Sequence, residues 1–457
     1  MKLRYYLALW AGKLSVFALR LLKRRGTVLP GRIALAICPQ FIRMASRPAT
    51  VIAVTGTNGK TTVTNMLTDL LRADGRRVLS NPSGANEHDG LATMLVRGLS
   101  PAGKCRHEIY LYEVDEHHTR SIFPQLEPNL LLVTNLTRDS ITRNAHPAYV
   151  AELVRKAIPP STRLVLNADN ILSAFLAPQN PRVYFGVDRL PSDGQVYGSL
   201  IHDAVLCPHC GRHLVWEALH YSDIGRARCP HCGLSSPRWD YWGAHIDLEN
   251  MCFDLQDARG SVRCALPHPS IFNVYNAVAA AAVLCELGYT REQITRLYKG
   301  LKIVDTRFHR ECVGQYTLCR MMAKALNAFA ESCVFEYLQS LPGKKEIVFM
   351  SCDYGDSPAQ SDNTAWIYDC DFELLNSPEF CTIVLYGARA QDYKLRLLLA
   401  GVPEERIRVT KTAEEMPAQL RLFDGDSVFV LYGADNHPAA CAVSESIRQR
   451  MEEKVRT

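Results

Sequence analysis

From residue 51 onward, short uninterrupted apolar runs alternate with segments of helical period. Val51-Ile52-Ala53-Val54 predicts a strand, and Thr61–Ala73, with Val63, Met66, Leu67, Leu70 and Leu71 at helical spacing, predicts a helix after it. Further strands are expected at Arg77-Val78-Leu79, Ile109–Val114, Leu130–Val133, Leu164–Leu166 and Val183–Phe185. Continuous apolar strands separated by helices imply a parallel sheet covered on both faces. Ala-rich Phe272–Gly288 predicts another helix, and a linker near 300–312 leads into a second α/β unit. That unit takes strands at Ile347–Met350, Thr382–Leu385, Ile407–Val409 and Val428–Leu431, with helices between them and at 437–452. The fold class is α/β, without internal repeats or low-complexity tracts.

Composition adds little to this picture, since 47% hydrophobic and 22% charged residues are ordinary for a globular chain of 457 residues. Charge adds more. The net charge is +5, but residues 1–47 hold ten Lys or Arg and no Asp or Glu, so the rest sums to −5. Lys13 and Arg20 interrupt the apolar runs of this stretch, which rules out a membrane span of about 20 apolar residues. An amphipathic basic helix is expected over this segment, packed on the protein body or lying on an anionic membrane. With no secretory signal, the sixteen cysteines predict a reduced, cytoplasmic setting.

The chemistry begins at Val51–Thr62, which reads as strand, glycine turn and helix. Gly56 and Gly59 let backbone N–H groups of the loop, which also holds Thr57 and Asn58, turn toward one point for a phosphate, and the helix aims its N-terminus at the same point. Lys60 can reach the β- and γ-phosphates of ATP, and the Thr61 hydroxyl can ligate Mg²⁺, with Thr62 beside it. From about 200 to 240 the texture changes. Cys207-Pro208-His209-Cys210 and Cys229-Pro230-His231-Cys232 form two knuckles 18 residues apart, each followed by Gly. Four thiolates at this spacing suit a closed structural Zn²⁺ site, with Cys207, Cys210, Cys229 and Cys232 as ligands. The weak basic bias between the knuckles does not support nucleic-acid binding.

Thr55-Gly56-Thr57-Asn58-Gly59-Lys60-Thr61-Thr62 resembles the ATP loop of Mur ligases and folylpolyglutamate synthases. Glu113-Val114-Asp115-Glu116, Thr134-Asn135 and Asn273-Val274-Tyr275-Asn276 follow in the order of that family's other motifs. The resemblance implies a P-loop central domain, here with an inserted four-cysteine zinc ribbon, and a Rossmann-like C-terminal domain. It also implies Mg²⁺ on Glu113 and nucleotide contacts from Asn135, Asn273 and Asn276. The corresponding domains are 1–47 as a basic N-terminal segment, 48–300 as the central domain with the ribbon at about 200–240, and 305–457 as the C-terminal domain.

Within the family, the ribbon, the basic start Arg25–Gly31, Gly84-Ala85-Asn86, Leu166-Asn167-Ala168-Asp169 and Trp366–Glu373 are similar to the MurT-type subunit of lipid II isoglutaminyl synthase. This implies ATP-dependent amidation of the D-glutamate α-carboxyl of the peptidoglycan stem peptide through an acyl phosphate. The substrate is then lipid II or a related muramyl peptide. Ammonia would come from a class I glutamine amidotransferase partner (GatD-type), because no cysteine here sits in a Gly-x-Cys-x-Gly elbow. The family places an aspartate three residues before the signature Trp to complete the partner's Cys–His pair. That place is Asn363 here, with Asp362 adjacent, and Cys352-Asp353-Tyr354 also departs from the usual pattern. His117 and His118 are candidates for metal or phosphate contact, and Arg307 or Arg310 for a phosphate clamp. A stand-alone ligase that adds an amino acid is the rival within the class. A P-loop switch protein is disfavoured, because no Asn-Lys-x-Asp base motif is present.

Overall fold

A computed structural model describes residues 2–24, 26–81, 84–138, 146–190, 202–267, 269–301, 308–322, 327–350, 364–423, 427–433 and 436–456. Asp362, Asn363, Arg307 and the 352–354 triplet lie outside them. The chain forms two compact units. The first takes Met1–Thr137, His146–Gly194 and Asp203–Leu301, and the second takes Lys302–Thr457 with the short stretches Arg138–Ala145 and Gln195–His202.

The first unit is built on a nine-stranded sheet. Its strands are β1 (Thr50–Thr55), β2 (Val78–Ser80), β3 (Ile109–Glu113), β4 (Leu130–Val133), β5 (Arg163–Asn167) and β6 (Arg182–Val187), then β9 (Tyr241–Asp247), β10 (Cys252–Asp257) and β11 (Gly260–Ala265). The strand order is β11-β10-β9-β6-β5-β4-β1-β3-β2. Strands β1 to β6 and β9 pair in parallel, and β9, β10 and β11 form an antiparallel edge. Strands β3 and β4 are buried at every position, as a parallel sheet with both faces covered requires. The helix Lys60–Ala73 buries Val63, Met66, Leu67, Leu70 and Leu71 on the sheet. The helix Ile271–Glu286 is buried continuously from Val274 to Leu284, which explains a sequence apolar on all sides. Between β6 and β9, β7 (Val215–Tyr221) and β8 (Ile224–Arg228) form a separate two-stranded hairpin carrying the cysteine knuckles.

The N-terminal helix Lys2–Leu21 packs on this unit. It buries Tyr5, Ala8, Leu9 and Gly12 against the helices Leu29–Ile37, Phe41–Met44 and His88–Gly98. Gly12 is needed there, because a Cβ would lie 2.8 Å from Val96 Cγ2.

The second unit has six strands: β12 (Phe308–Val313), β13 (Tyr316–Met322), β14 (Lys345–Met350), β15 (Phe380–Tyr386), β16 (Ile407–Val409) and β17 (Ser427–Tyr432). Their order is β12-β13-β17-β14-β15-β16, parallel except for the β12–β13 hairpin. Helices Ala328–Ser340 and Ala390–Leu399 cover one apolar layer with Phe335, Leu338, Tyr393 and Leu397, and His437–Arg456 covers the other with Val443, Ile447 and Met451.

Candidate active site and cysteine cluster

The glycine turn leaves the C-terminal end of β1 and enters the helix Lys60–Ala73. Gly56 (φ +123°) and Gly59 (φ +86°) lie in the left-handed region, where glycine alone is unstrained. Both are also crowded. A Cβ on Gly56 would meet Thr134 Oγ1 at 2.3 Å, and one on Gly59 would meet Asn276 Oδ1 at 2.3 Å. The turn is strapped by the segment that follows β4. Thr57 N–H donates to Asn135 O at 2.8 Å, Asn58 N–H donates to Asn135 Oδ1 at 3.1 Å, and Thr134 Oγ1 donates to Asn58 O at 2.6 Å. Asn58 Nδ2 reaches Thr137 Oγ1 at 3.1 Å. The Thr-Asn motif is thus part of the loop's scaffold. Asn276 lies against Gly59 and donates weakly to Asn273 Oδ1 at 3.4 Å, while Asn273 Nδ2 binds Ser270 Oγ at 2.7 Å. These contacts bring Gly56–Lys60, Asn135, Asn273 and Asn276 to one place, with Thr61 and Thr62 in the first turn of the helix.

Lys60 does not wave in solvent. Its ammonium donates to Gly56 O at 2.6 Å and to both oxygens of Glu116 at 3.0 and 3.2 Å. The lysine and glutamate side chains are 10% and 3% exposed. Burial alone would drive this ammonium toward neutrality, but Glu116, Glu113 and Asp115 outweigh it and hold its pKa above the ordinary lysine value.

Glu113 ends β3, paired with Val54 of β1, and is 2% exposed. Asn81 brackets its backbone, accepting from Glu113 N–H at 2.8 Å and donating to Glu113 O at 3.0 Å. Asn86 Nδ2 holds Oε1 at 3.0 Å, and Oε2 is buried with no hydrogen-bond partner among the described residues. A buried carboxylate with one oxygen fixed and one unpaired is a donor set that fits a hard divalent cation. Beyond it, Asp115 accepts from His117 N–H at 3.0 Å, and His118 Nδ1 stands 3.6 Å from Asp115 Oδ1, too long for a hydrogen bond. His118 packs edge-on against His88, and His117 lies beside Tyr149.

Glu116 was not singled out by sequence reasoning, and Asn81 was not noticed at all. The signal for Glu116 was its place in the acidic run, three residues after Glu113 at the start of the helical turn Glu116–His118. Asn81 has no signal in the sequence, because it is brought in by β2, which pairs with β3.

In the hairpin module, the four Sγ atoms of Cys207, Cys210, Cys229 and Cys232 all lie within 4.8 Å of one another. Cys207 is 3.6 Å from Cys232 and Cys210 is 3.5 Å from Cys229. Each knuckle turns through a glycine in the left-handed region, Gly211 (φ +70°) and Gly233 (φ +76°). Each is closed by N–H groups of its own turn, Gly211 N–H to Cys207 O and Gly233 N–H to Cys229 O. His209 and His231 stay outside the cluster among the described residues. Sulfurs about 3.8 Å apart are what tetrahedral Zn–S bonds of about 2.3 Å give, so the donors fit a metal ion.

The module is tied to the sheet through Asp169, which is fully buried. Asp169 accepts from Trp239 Nε1 at 2.8 Å, Tyr275 Oη at 2.9 Å and Val187 N–H at 2.8 Å, and it pairs with Arg226 at 3.3 Å.

Residues 54–186 match the Mur ligase middle domain, and residues 326–434 match the MurT ligase C-terminal domain. The chain is 28% identical over 404 residues to the Staphylococcus aureus lipid II isoglutaminyl synthase (glutamine-hydrolyzing) subunit MurT, covering 88% of this chain and 89% of that one. It is 28% identical over 441 residues to the Streptococcus pneumoniae subunit of the same name, covering 94% and 95%. Among solved structures, a pseudomurein peptide ligase type C from Methanothermus fervidus aligns with a TM-score of 0.63 at 20% identity, covering 90% of this chain and 81% of that one. MurF from Acinetobacter baumannii aligns with a TM-score of 0.61 at 18% identity, covering 91% and 80%. These two show the shared fold.

Proposed function

We propose, for a chain that belongs to the Mur ligase family through both of its matched domains, that it is the ATP-using subunit of a lipid II isoglutaminyl synthase. In this reading it amidates the D-glutamate α-carboxyl of a lipid-linked muramyl peptide. The observation that carries the reading is similarity to two MurT subunits along nearly the whole length of each chain.

The site residues then divide the work. A carboxylate is a poor electrophile, so one of its oxygens attacks the γ-phosphorus of ATP and ADP departs, leaving an acyl phosphate. Ammonia attacks the acyl carbon, loses a proton and expels phosphate. The N–H groups of Gly59, Lys60 and Thr61 bind the phosphates, since those of Thr57 and Asn58 are taken by Asn135, and Lys60 neutralises the charge that grows on the transferred group. Glu116 pairs with the Lys60 ammonium and holds it at the loop. Glu113, with its unpaired Oε2, and the Thr61 hydroxyl would hold Mg²⁺, which supplies charge neutralisation between the phosphates. Asn273 and Asn276 face the nucleotide. Cys207, Cys210, Cys229 and Cys232 would hold a structural Zn²⁺. Ammonia comes from a glutaminase partner whose Cys–His pair Asp362 or Asn363 completes, and Arg307 clamps phosphate. The compartment is the cytoplasm, at the inner face of the membrane that carries the substrate.

The test is ADP release and amide formation on a muramyl peptide-linked lipid with ammonium, with glutamine alone, and with glutamine plus the partner glutaminase. Amide from ammonium, and from glutamine only when the partner is present, is expected. Turnover indifferent to ammonia but stimulated by an amino acid would instead identify a stand-alone ligase.

A further inference from the structure

The helix Lys2–Leu21 has two apolar faces, and the fold uses only one. At about 100° per residue, Tyr5, Ala8, Leu9 and Gly12 fill an arc of about 100° that is buried on the first unit. This face is fixed in place. Tyr5 stacks on Phe41 with ring centroids 5.3 Å apart, and Lys13 Nζ donates to Val96 O and Leu99 O at 2.8 and 2.6 Å, at the C-terminal end of His88–Gly98.

Leu3, Leu7, Trp10, Leu14, Phe17 and Leu21 follow one another at spacings of four and three. They fill an arc of about 80° on the opposite side. All six are exposed, from 54% for Leu7 to 73% for Leu3. Six large apolar side chains in one unbroken row are not the scattered exposure of an ordinary surface. The borders of the row are cationic. Lys2 and Arg20 lie along one edge and Arg4 along the other, all exposed, with Lys23 and Arg24 just beyond the end of the helix. No acidic residue occurs in 1–47.

The geometry points to an anionic lipid bilayer as what covers this face: we propose that the helix lies in the plane of the membrane surface with the Leu3–Leu21 row in the acyl boundary and its cations among phosphate headgroups. The row's period also suits a coiled-coil seam. A second copy, however, would set only cations against cations along the flanks, where a stable seam alternates signs. Spanning is excluded for the described helices, none of which is long and apolar enough. The proposal deepens the amidation reading by saying how the enzyme meets a lipid-linked substrate, but the face exists whatever the reaction.

The test is flotation of the full chain with vesicles of phosphatidylglycerol and phosphatidylcholine, and with phosphatidylcholine alone, at low and high salt. The Leu7→Gln/Leu14→Gln variant is compared, since neither side chain supports the fold. Binding that needs phosphatidylglycerol, weakens with salt and falls at least tenfold in the variant is expected. The variant should melt as the parent does and release ADP equally fast on a water-soluble muramyl peptide. Absence of binding by the parent, or equal binding by the variant, overturns the proposal. So does a concentration-dependent dimer that the variant breaks without any vesicle binding. ADP release on the soluble peptide reports on the amidation reading separately.

Discussion

Removing the Lys60 ammonium tests the nucleotide site, but the structure changes what that experiment reads. A lysine on an exposed loop could be truncated without cost to the fold. Lys60 and Glu116 instead form a buried pair at 3.0 Å, 10% and 3% exposed. Truncating one partner of such a pair leaves an uncompensated charge, at a cost of about 3–5 kcal/mol. For a unit of this size that corresponds to a drop of roughly 10 °C in melting temperature. Lys60→Ala should therefore lose both turnover and stability, and the two losses must be separated. Adding Glu116→Gln removes the orphaned charge. The double variant should recover most of the melting temperature while ADP release stays down by at least about a hundredfold, the scale of losing one well-placed charge donor. Thermal melts and ADP release measure the two quantities. Normal turnover in either variant would refute Lys60 as the phosphate-binding cation, and an unchanged melting temperature in Lys60→Ala would refute the weight given to the pair.

Two other outcomes follow from the same reasoning. The purified chain should carry close to one zinc by elemental analysis. Cys229→Ser should lose it and melt lower, with a smaller loss of ADP release than Lys60→Ala; full zinc in that variant would exclude the four-sulfur site. In the second unit, burial raises the Glu331 carboxyl to about 8, despite hydrogen bonds to Tyr393 and Cys370. The folded state keeps a proton that the unfolded chain releases above its ordinary carboxylate pKa, so stability falls as pH rises from that value to about 8. The fall amounts to on the order of 4–5 kcal/mol. Glu331→Gln should flatten this dependence, leaving the parent and variant alike near pH 4 and the variant more stable at pH 9. Parallel pH–stability curves would show that Glu331 is not the group responsible.

What was legible in the sequence is what is local. The strand, glycine turn, lysine and helix occupy twelve consecutive residues, and each cysteine knuckle occupies four. Backbone geometry and donor type in such segments are dictated by near neighbours. Every strand expected in the parallel part of the first sheet is present, because a strand buried on both faces writes a continuous apolar run. Strands β9–β11 and the β12–β13 hairpin were not anticipated. Their residues are half-exposed and broken by Asp, Arg and Gln, as in Cys252–Asp257 with its mixed burial, so antiparallel edges lack that signature. The partners of the site were hidden for a different reason. Asn81 meets Glu113 across 32 residues and Glu116 meets Lys60 across 56, and only the register of β2, β3 and β1 sets those encounters.

The N-terminal helix shows how a sequence pattern can support two readings because both describe it. Its apolar residues read as amphipathic, and packing on the body and lying on a membrane looked like alternatives. They compete only if a helix has one apolar face. Here the buried row Tyr5, Ala8, Leu9 and Gly12 includes two small residues, and Gly12 allows the close approach that Val96 marks. Leu3, Trp10, Leu14, Phe17 and Leu21 lie on the opposite side of the helix and are left outside. Docking therefore selects which row is presented, and Lys13, bound to the carbonyls of Val96 and Leu99, locks the rotation. A free amphipathic helix would have to be ordered on reaching a surface. This one is ordered already, so its apolar row is available without that entropy cost.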